Sequence, residues 1–236
     1  MKTIGLIGGM SWESTAVYYR RINEQVRQQR GGLHSAEIAM RSLDFTRVVD
    51  LQKADRWDEA GALLGDAAAG LARAGASCVL ICTNTMHLVA GPVAAMAGVP
   101  LIDIITETAA ALRADSRKRP LLLATRYTME HGFYTERMRE LGLDVVVPDS
   151  ADRQVVHDVI FDELCQGRIC DASRAAYLDI IERARDRGVD SVILGCTEIS
   201  LLLDPARLTL PGYDSTAIHA DAAVRFALAD DLEQAA

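Results

Sequence analysis

The amino-acid sequence predicts an α/β protein of two similar lobes, each built on a mainly parallel sheet. Two observations carry this. Gly75-Ala76-Ser77-Cys78-Val79-Leu80-Ile81-Cys82-Thr83-Asn84-Thr85 aligns without a gap on Gly188-Val189-Asp190-Ser191-Val192-Ile193-Leu194-Gly195-Cys196-Thr197-Glu198. Both stretches start at a turn glycine, continue as an apolar run and end in small polar residues. Short apolar runs also alternate with helical patterns along the whole chain, about eight in all, as expected of buried parallel strands joined by helical crossovers.

In chain order, Thr3 to Ile7 reads as a first strand, Gly8-Gly9-Met10 as a tight turn, and Ser11 as the N-cap of a helix with Tyr18, Ile22 and Val26 on one face. The spacing Gly5-x-x-Gly8-Gly9 lacks the dinucleotide fingerprint. The alternation Ala36, Ile38, Met40 gives a second strand, and Asp44 caps the next helix. Trp57 to Ala74 is an alanine-rich helix ended by Gly75, and it leads into the strand Cys78 to Cys82. Leu101 to Ile104 reads as a fourth strand, and the charged stretch Ala114 to Pro120 as an interruption. The cycle then restarts with a strand at Leu121 to Ala124, a turn at Thr125 to Thr128 and a helix to Leu141. Asp144 to Val147 is read as a strand, Arg153 to Cys165 and Ala172 to Arg187 as helices, and the next strand ends at Cys196. The closing segment, including the helix Ile218 to Leu228, is expected to return to the first half. The expected lobes are 1–105 with 206–236, and 106–205.

The chain has 236 residues, half of them apolar and a quarter charged, which suits a globular protein with a substantial core. Only the acidic, alanine-rich end Asp230 to Ala236 has the composition of disorder. A formal net charge of -8 and the lack of a Lys/Arg block argue against nucleic acid and anionic membrane surfaces as partners. The apolar run at Met1 to Leu6 is too short for a signal peptide, and no stretch approaches about 18 uninterrupted apolar residues, so a cytoplasmic protein is expected. The five cysteines are odd in number and form no CxxC pair, which suits reduced thiols. No His/Cys/Asp cluster has metal spacing, and His87 and His157 are read as structural or surface residues.

The repeat places Thr83 opposite Cys196, each at a strand end, where open α/β sheets bind ligands. A carbon acid that loses its hydrogen on one face and regains it on the other needs an acid/base group on each side. Cysteine suits this chemistry. The helical segment after Cys196 is expected to lower its thiol pKa.

Several motifs resemble the aspartate/glutamate racemase family: Gly195-Cys196-Thr197-Glu198, Asn84-Thr85 at the equivalent strand end, Gly8-Gly9-Met10-Ser11, and Leu51-Gln52 after Ser42-Leu43-Asp44-Phe45. So do Gly132-Phe133-Tyr134 and Asp162-Glu163-Leu164-Cys165-x-Gly167. The resemblance covers nearly the whole chain. It implies two pseudo-symmetric, flavodoxin-like lobes with the active site in the cleft between them, and a racemase that needs no cofactor, pyridoxal phosphate included. In that family two cysteines, one per lobe, exchange the α-proton. The resemblance implies that Asn84, Thr85 and Thr197 hold the substrate's carboxylate and amino group, that Met10 and Gln52 line the pocket, and that Glu198 assists Cys196. This sequence departs from the family at the first cysteine, where Thr83 stands, and so resembles the Thr/Cys subgroup described as preferring L-aspartate or L-glutamate. Adjacent Cys82 points to the opposite face of its strand. A second departure is Gln166, which falls near the lysine of the cationic pair for the distal carboxylate and leaves Arg47 as the candidate cation.

Three readings follow. The first is an amino-acid racemase with Thr83 and Cys196 on opposite faces of the substrate, acting on aspartate or glutamate or on a broader set. The second is a related enzyme that isomerises maleate, decarboxylates malonates or racemises hydantoins. The third is a catalytically impaired amino-acid-binding protein. Paired α/β lobes with exposed apolar helices also suit a homodimer.

Overall fold

The computed structural model describes residues 1–233, with side chains to residue 229, so the end expected to be disordered, Asp230 to Ala236, lies outside the described side chains. The chain divides into two compact units: Met1–Asp103 with the C-terminal segment from His219, and Ile104–Ile218.

The first unit carries a parallel sheet of order β2-β1-β3, with β1 at Ile4–Gly8, β2 at Ile38–Ser42 and β3 at Cys78–Ile81. Helix α1 (Trp12–Arg30) joins β1 to β2, and α2 (Phe45–Lys53) and α3 (Trp57–Arg73) lead to β3. Strand alternation sends side chains to both faces. Ile4, Leu6, Cys78, Leu80 and Cys82 pack with Tyr18, Ile22 and Val26 of α1 and with Ala220, Ala223 and Val224 from the last helix. Ile7, Val79 and Ile81 pack on the other face with Leu64 and Ala68 of α3 and with Val93 of α4 (Ala90–Ala97). The predicted strand Leu101 to Ile104 is reduced to one parallel bridge, Val79 to Leu101. Pro100 precedes it, and α5 (Ile104–Ala114) already begins at its last residue, which leaves no room for a ladder.

In the second unit β4 (Pro120–Leu123), β5 (Ser191–Leu194) and β6 (Gly212–Asp214) form a parallel sheet in that order. Helices α6 (Arg126–Glu130), α7 (Phe133–Glu140), α8 (Ser150–Asp158) and α9 (Asp171–Arg185) separate β4 from β5. The short α10 (Ile199–Leu202) follows β5, and α11 (Ser215–Glu233) follows β6. Three expectations change here. Residues 206–218, expected in the first lobe, belong to this unit, because Gly212, Tyr213 and Asp214 pair in register with Val192, Ile193 and Leu194. Asp144 to Val147 makes only the bridge Leu121 to Val146, closed off by Pro148, which has no N–H to donate. The expected helix Arg153 to Cys165 also loosens, into a π-helical turn at Val159–Glu163 and a 3-10 turn at Leu164–Gln166.

The internal repeat is visible in the hydrogen bonds of each unit. Gly75 N donates to Ala72 O and Ala76 N to Leu71 O; Gly188 N donates to Arg185 O and Val189 N to Ala184 O, at the same offset along the chain. Both glycines have positive φ, 93° and 85°, which lets a helix end turn directly into a buried strand. At the far ends of those strands Cys82 N donates to Ile7 O, and Gly195 N donates to Leu123 O. Thr83 and Cys196 are therefore the first residues past equivalent final ladder bonds.

Candidate active site

All strands in each sheet are parallel, so their carboxyl ends share one edge. In the first unit that edge collects the Gly8-Gly9-Met10 turn after β1, Leu43 after β2 and Thr83-Asn84-Thr85 after β3. Its geometry is tight. Gly9 has φ +87°, and a Cβ there would lie 2.1 Å from Leu43 O, so no side chain fits. Thr15 Oγ1 accepts the Gly9 N–H at 2.8 Å and donates to Ser11 O at 2.9 Å, while Ser11 Oγ caps α1 by accepting from Ser14 N. The second unit repeats the cap with Thr125 Oγ1 accepting from Thr128 N.

Met10, Gln52, Asn84 and Thr85 are all buried at this edge, and Thr83 is half-buried. Gln52, only 7 % exposed, reaches back from α2 to donate from Nε2 to Met86 Sδ at 3.0 Å. Arg47, on the same helix, is exposed. Cys82 lies in the core beneath α1, where burial alone pushes its thiol far above the ordinary range. It does not stand in for Thr83.

In the second unit, Cys196, Thr197 and Glu198 form one hydrogen-bonded group. Cys196 Sγ donates to Glu198 Oε2 at 2.9 Å, and Thr197 Oγ1 donates to the same oxygen at 2.7 Å. The Glu198 side chain is 5 % exposed. The strand end is closely packed, since a Cβ on Gly195 would sit 2.9 Å from Leu122 Cδ1 and 3.0 Å from Ala124 Cβ.

The electrostatics reverse the expectation for Cys196. Burial first, and then the neighbouring Glu198 carboxylate, push the thiol pKa well up rather than down. The physical reason is local: α10 has only four residues, too few for an appreciable dipole, and a negative charge sits beside the sulfur. The resting group is an S–H whose proton already points at a carboxylate. Cys165, Tyr177 and Glu163 surround this site without having been assigned to it from sequence. Cys165 acts electrostatically on Cys196, Tyr177 is raised by burial and then by Cys196 and Glu163, and Glu163 accepts from Ser173 Oγ at 2.6 Å. The motif around Asp162 to Gly167 was the sequence signal for Glu163 and Cys165, and Tyr177 on α9 had none. Gln166 is exposed and donates from Nε2 to Phe161 O at 3.3 Å, within its own turn.

Among the described residues, no group of three or more His, Cys, Asp or Glu could hold a metal ion, and no helix is long and apolar enough to cross a membrane. A groove of about 850 Å³ lies in the first unit along α1 and β2, lined in part by Trp12, Tyr19, Leu33 and Met40. It contains neither Thr83 nor any of Met10, Gln52, Asn84 and Thr85.

Known proteins match this chain over nearly its full length. A crystal structure of a provisionally assigned Asp/Glu racemase from Yersinia pestis is 47% identical, covers 97% of this chain and 100% of its own, and superposes with a TM-score of 0.91. An aspartate racemase homologue from Pyrococcus horikoshii OT3 is 33% identical, with 96% and 99% covered and a TM-score of 0.86. The broad specificity amino-acid racemase RacX of Bacillus subtilis (strain 168) is 23% identical, with 96% and 98% covered. The sequence profile described as Asp/Glu/Hydantoin racemase matches residues 7–223, and the chain belongs to that family, and with it to the racemase class of isomerases.

Proposed function

We propose that this racemase interconverts the enantiomers of aspartate or glutamate without a cofactor, using Cys196 on one face of Cα and Thr83 on the other. The observation that carries the reading is the Cys196 thiol bound to the buried Glu198 carboxylate, at the strand end whose counterpart in the other unit is Thr83.

The elevated thiol pKa defines the order of events. Transfer of the S–H proton to Glu198 Oε2 makes the thiolate, which takes the α-proton as the Cα–H bond breaks. Its electron pair remains on Cα, delocalised into the α-carboxylate. Buried donors such as Asn84, Thr85 and Thr197 suit the stabilisation of that charge. The Thr83 hydroxyl then gives its proton to Cα from the opposite face and is reprotonated by water, and the hydroxide so formed is neutralised by the proton that leaves Glu198. A hydroxyl is a far weaker acid than a thiol, so this half-reaction is the slow one. Because enantiomers are equal in free energy, kcat/KM must be the same in both directions. The asymmetry therefore shows in isotope content: the α-hydrogen on the Cys196 side exchanges with solvent faster than the carbon inverts.

Proton NMR in deuterated water, run across L- and D-amino acids, tests this. L-aspartate or L-glutamate should lose its α-proton signal before the opposite enantiomer accumulates. Cys196→Ala should lower both rates by on the order of 10²-fold or more. Thr83→Cys should bring inversion closer to the rate of exchange. Full turnover in Cys196→Ala would rule the assignment out.

A second reading, a broader amino-acid racemase, has one specific observation in its favour. Gln166 stands near the expected lysine and bonds to its own turn, and Arg47 is exposed, which weakens selection for a distal carboxylate. Comparable rates on uncharged amino acids in the same assay would favour it.

A further inference from the structure

The racemase reading leaves unexplained a pair of buried imidazoles behind Thr83. His87 is 3 % exposed and lies one turn beyond Thr83. Its Nδ1 is 2.8 Å from Thr83 O. A carbonyl oxygen can only accept, so Nδ1 carries the hydrogen. The Thr83 N–H donates in turn to Ile81 O at 2.8 Å. Thr83 is thus pinned on both sides of its Cα. Its β-branched side chain has few χ1 options, so fixing the backbone also fixes the direction of the hydroxyl.

The imidazole that does this is itself held. The His87 backbone N–H donates to Asn84 O at 3.0 Å, and its ring meets His219 edge to face, with centroids 5.6 Å apart and planes at 70°. His219 is fully buried and bonded at both nitrogens. Nε2 lies 2.8 Å from Ile102 O and must donate, which leaves Nδ1 to accept the Tyr18 O–H at 2.8 Å. Both ring nitrogens are then satisfied in the neutral form, and burial followed by the neighbouring His87 lowers the His219 pKa to about 3. A rigid sequence of contacts therefore runs from α1 and the Ile102 segment, through His219 and His87, to the Thr83 carbonyl.

We propose that His87 is a positioning residue for Thr83, its Nδ1–H holding the Thr83 peptide so that the hydroxyl is presented in one direction. This rests on the racemase reading for its consequence but not for its geometry. The imidazole does not relay the proton of the Thr83 hydroxyl through Nδ1, because that nitrogen is committed to the carbonyl. A displacement of reacting groups by about 1 Å costs up to about 10²-fold in rate, so loss of the bond should be visible in turnover.

Three variants separate positioning from the alternatives. His87→Asn keeps a donor close to where Nδ1 stands but has no titrating nitrogen, His87→Gln places its donor where Nε2 stands, and His87→Leu has none. Inversion of aspartate or glutamate should stay within about threefold of wild type in His87→Asn and fall about 10- to 100-fold in the other two. KM and exchange on the Cys196 side should change little. In parallel, the χ1-sensitive ¹³C shift of the Thr83 methyl should move in His87→Leu and not in His87→Asn, with thermal melts confirming that each variant is folded. Equal inversion in His87→Leu and wild type, equal losses in His87→Asn and His87→Leu, or a Thr83 methyl shift indifferent to all three overturns the proposal. If wild type neither exchanges nor inverts any amino acid, the racemase reading fails, and the methyl shift still decides whether His87 positions Thr83.

Discussion

Cys196 and Glu198 are two residues apart, and their side chains share a proton across 2.9 Å. That proximity has opposing effects on the thiol. The carboxylate's charge disfavours ionisation, while its oxygen is the nearest acceptor for the proton that ionisation releases. Glu198→Gln should separate the two. With the second-largest cause of the raised pKa removed, thiolate absorbance assigned by difference from Cys196→Ser should titrate at a lower pH than in wild type. Exchange of the α-hydrogen should nevertheless slow, by on the order of 10²-fold, because the acceptor is gone. A titration midpoint that stays put would show that burial, the largest cause, acts alone. The equivalence of Thr83 and Cys196 was legible in the sequence, because a turn glycine, an apolar run and a small polar end recur at one offset. The direction of the thiol pKa was not, because it depends on burial and on how Glu198 folds back over the sulfur, and neither is written in residue spacing.

The strand-end turns hold these residues with little slack. Gly9 and Gly98 both have positive φ, 87° and 70°, but only Gly9 has backbone in the way, whereas nothing lies within 4 Å of a Cβ at Gly98, the left-handed residue that ends α4. Gly98→Ala should cost about 1 kcal/mol from the backbone conformation. Gly9→Ala adds a collision with the Leu43 backbone and should cost about 2 kcal/mol more. Urea midpoints of the two variants measure the difference, and equal costs would mean that the turn can open. Long periodic elements such as α1 and α3 were readable from their apolar faces. The shortest were not. Leu101 and Val146 each make a single bridge, and β6 has three residues whose choice of sheet depends on pairing with β5, about 20 residues earlier and beyond any local window. A local pattern carries no record of that choice.

His219 connects the first unit's fold to solution pH. Its pKa falls from an ordinary 6.5 to about 3 on folding, so the folded chain stays neutral where the unfolded chain takes up a proton. Stability from this group is complete above 6.5 and is lost as pH falls toward 3, with a limiting slope of about 1.4 kcal/mol per pH unit. By about pH 5 the loss should reach about 2 kcal/mol relative to about pH 7.5. Urea unfolding of wild type and His219→Gln at the two pH values tests this, since the variant should lack that part of the decrease. No composition or periodicity marks His219 as buried; its environment is assembled from α1, the Ile102 segment and α11.

That same helix has a consequence for how the protein is made. Residues 104–218 are an excursion between the two stretches that build the first unit, and Ala220, Ala223 and Val224 fill its core only from beyond that excursion. A ribosome delivers the chain from its amino end, and domains generally fold as units as they emerge. The lobe begun first is therefore finished last. Until α11 is released, Ile4, Leu6 and Leu80 have only the α1 part of their cover, and the nascent chain carries a partly open apolar surface throughout synthesis of the second unit.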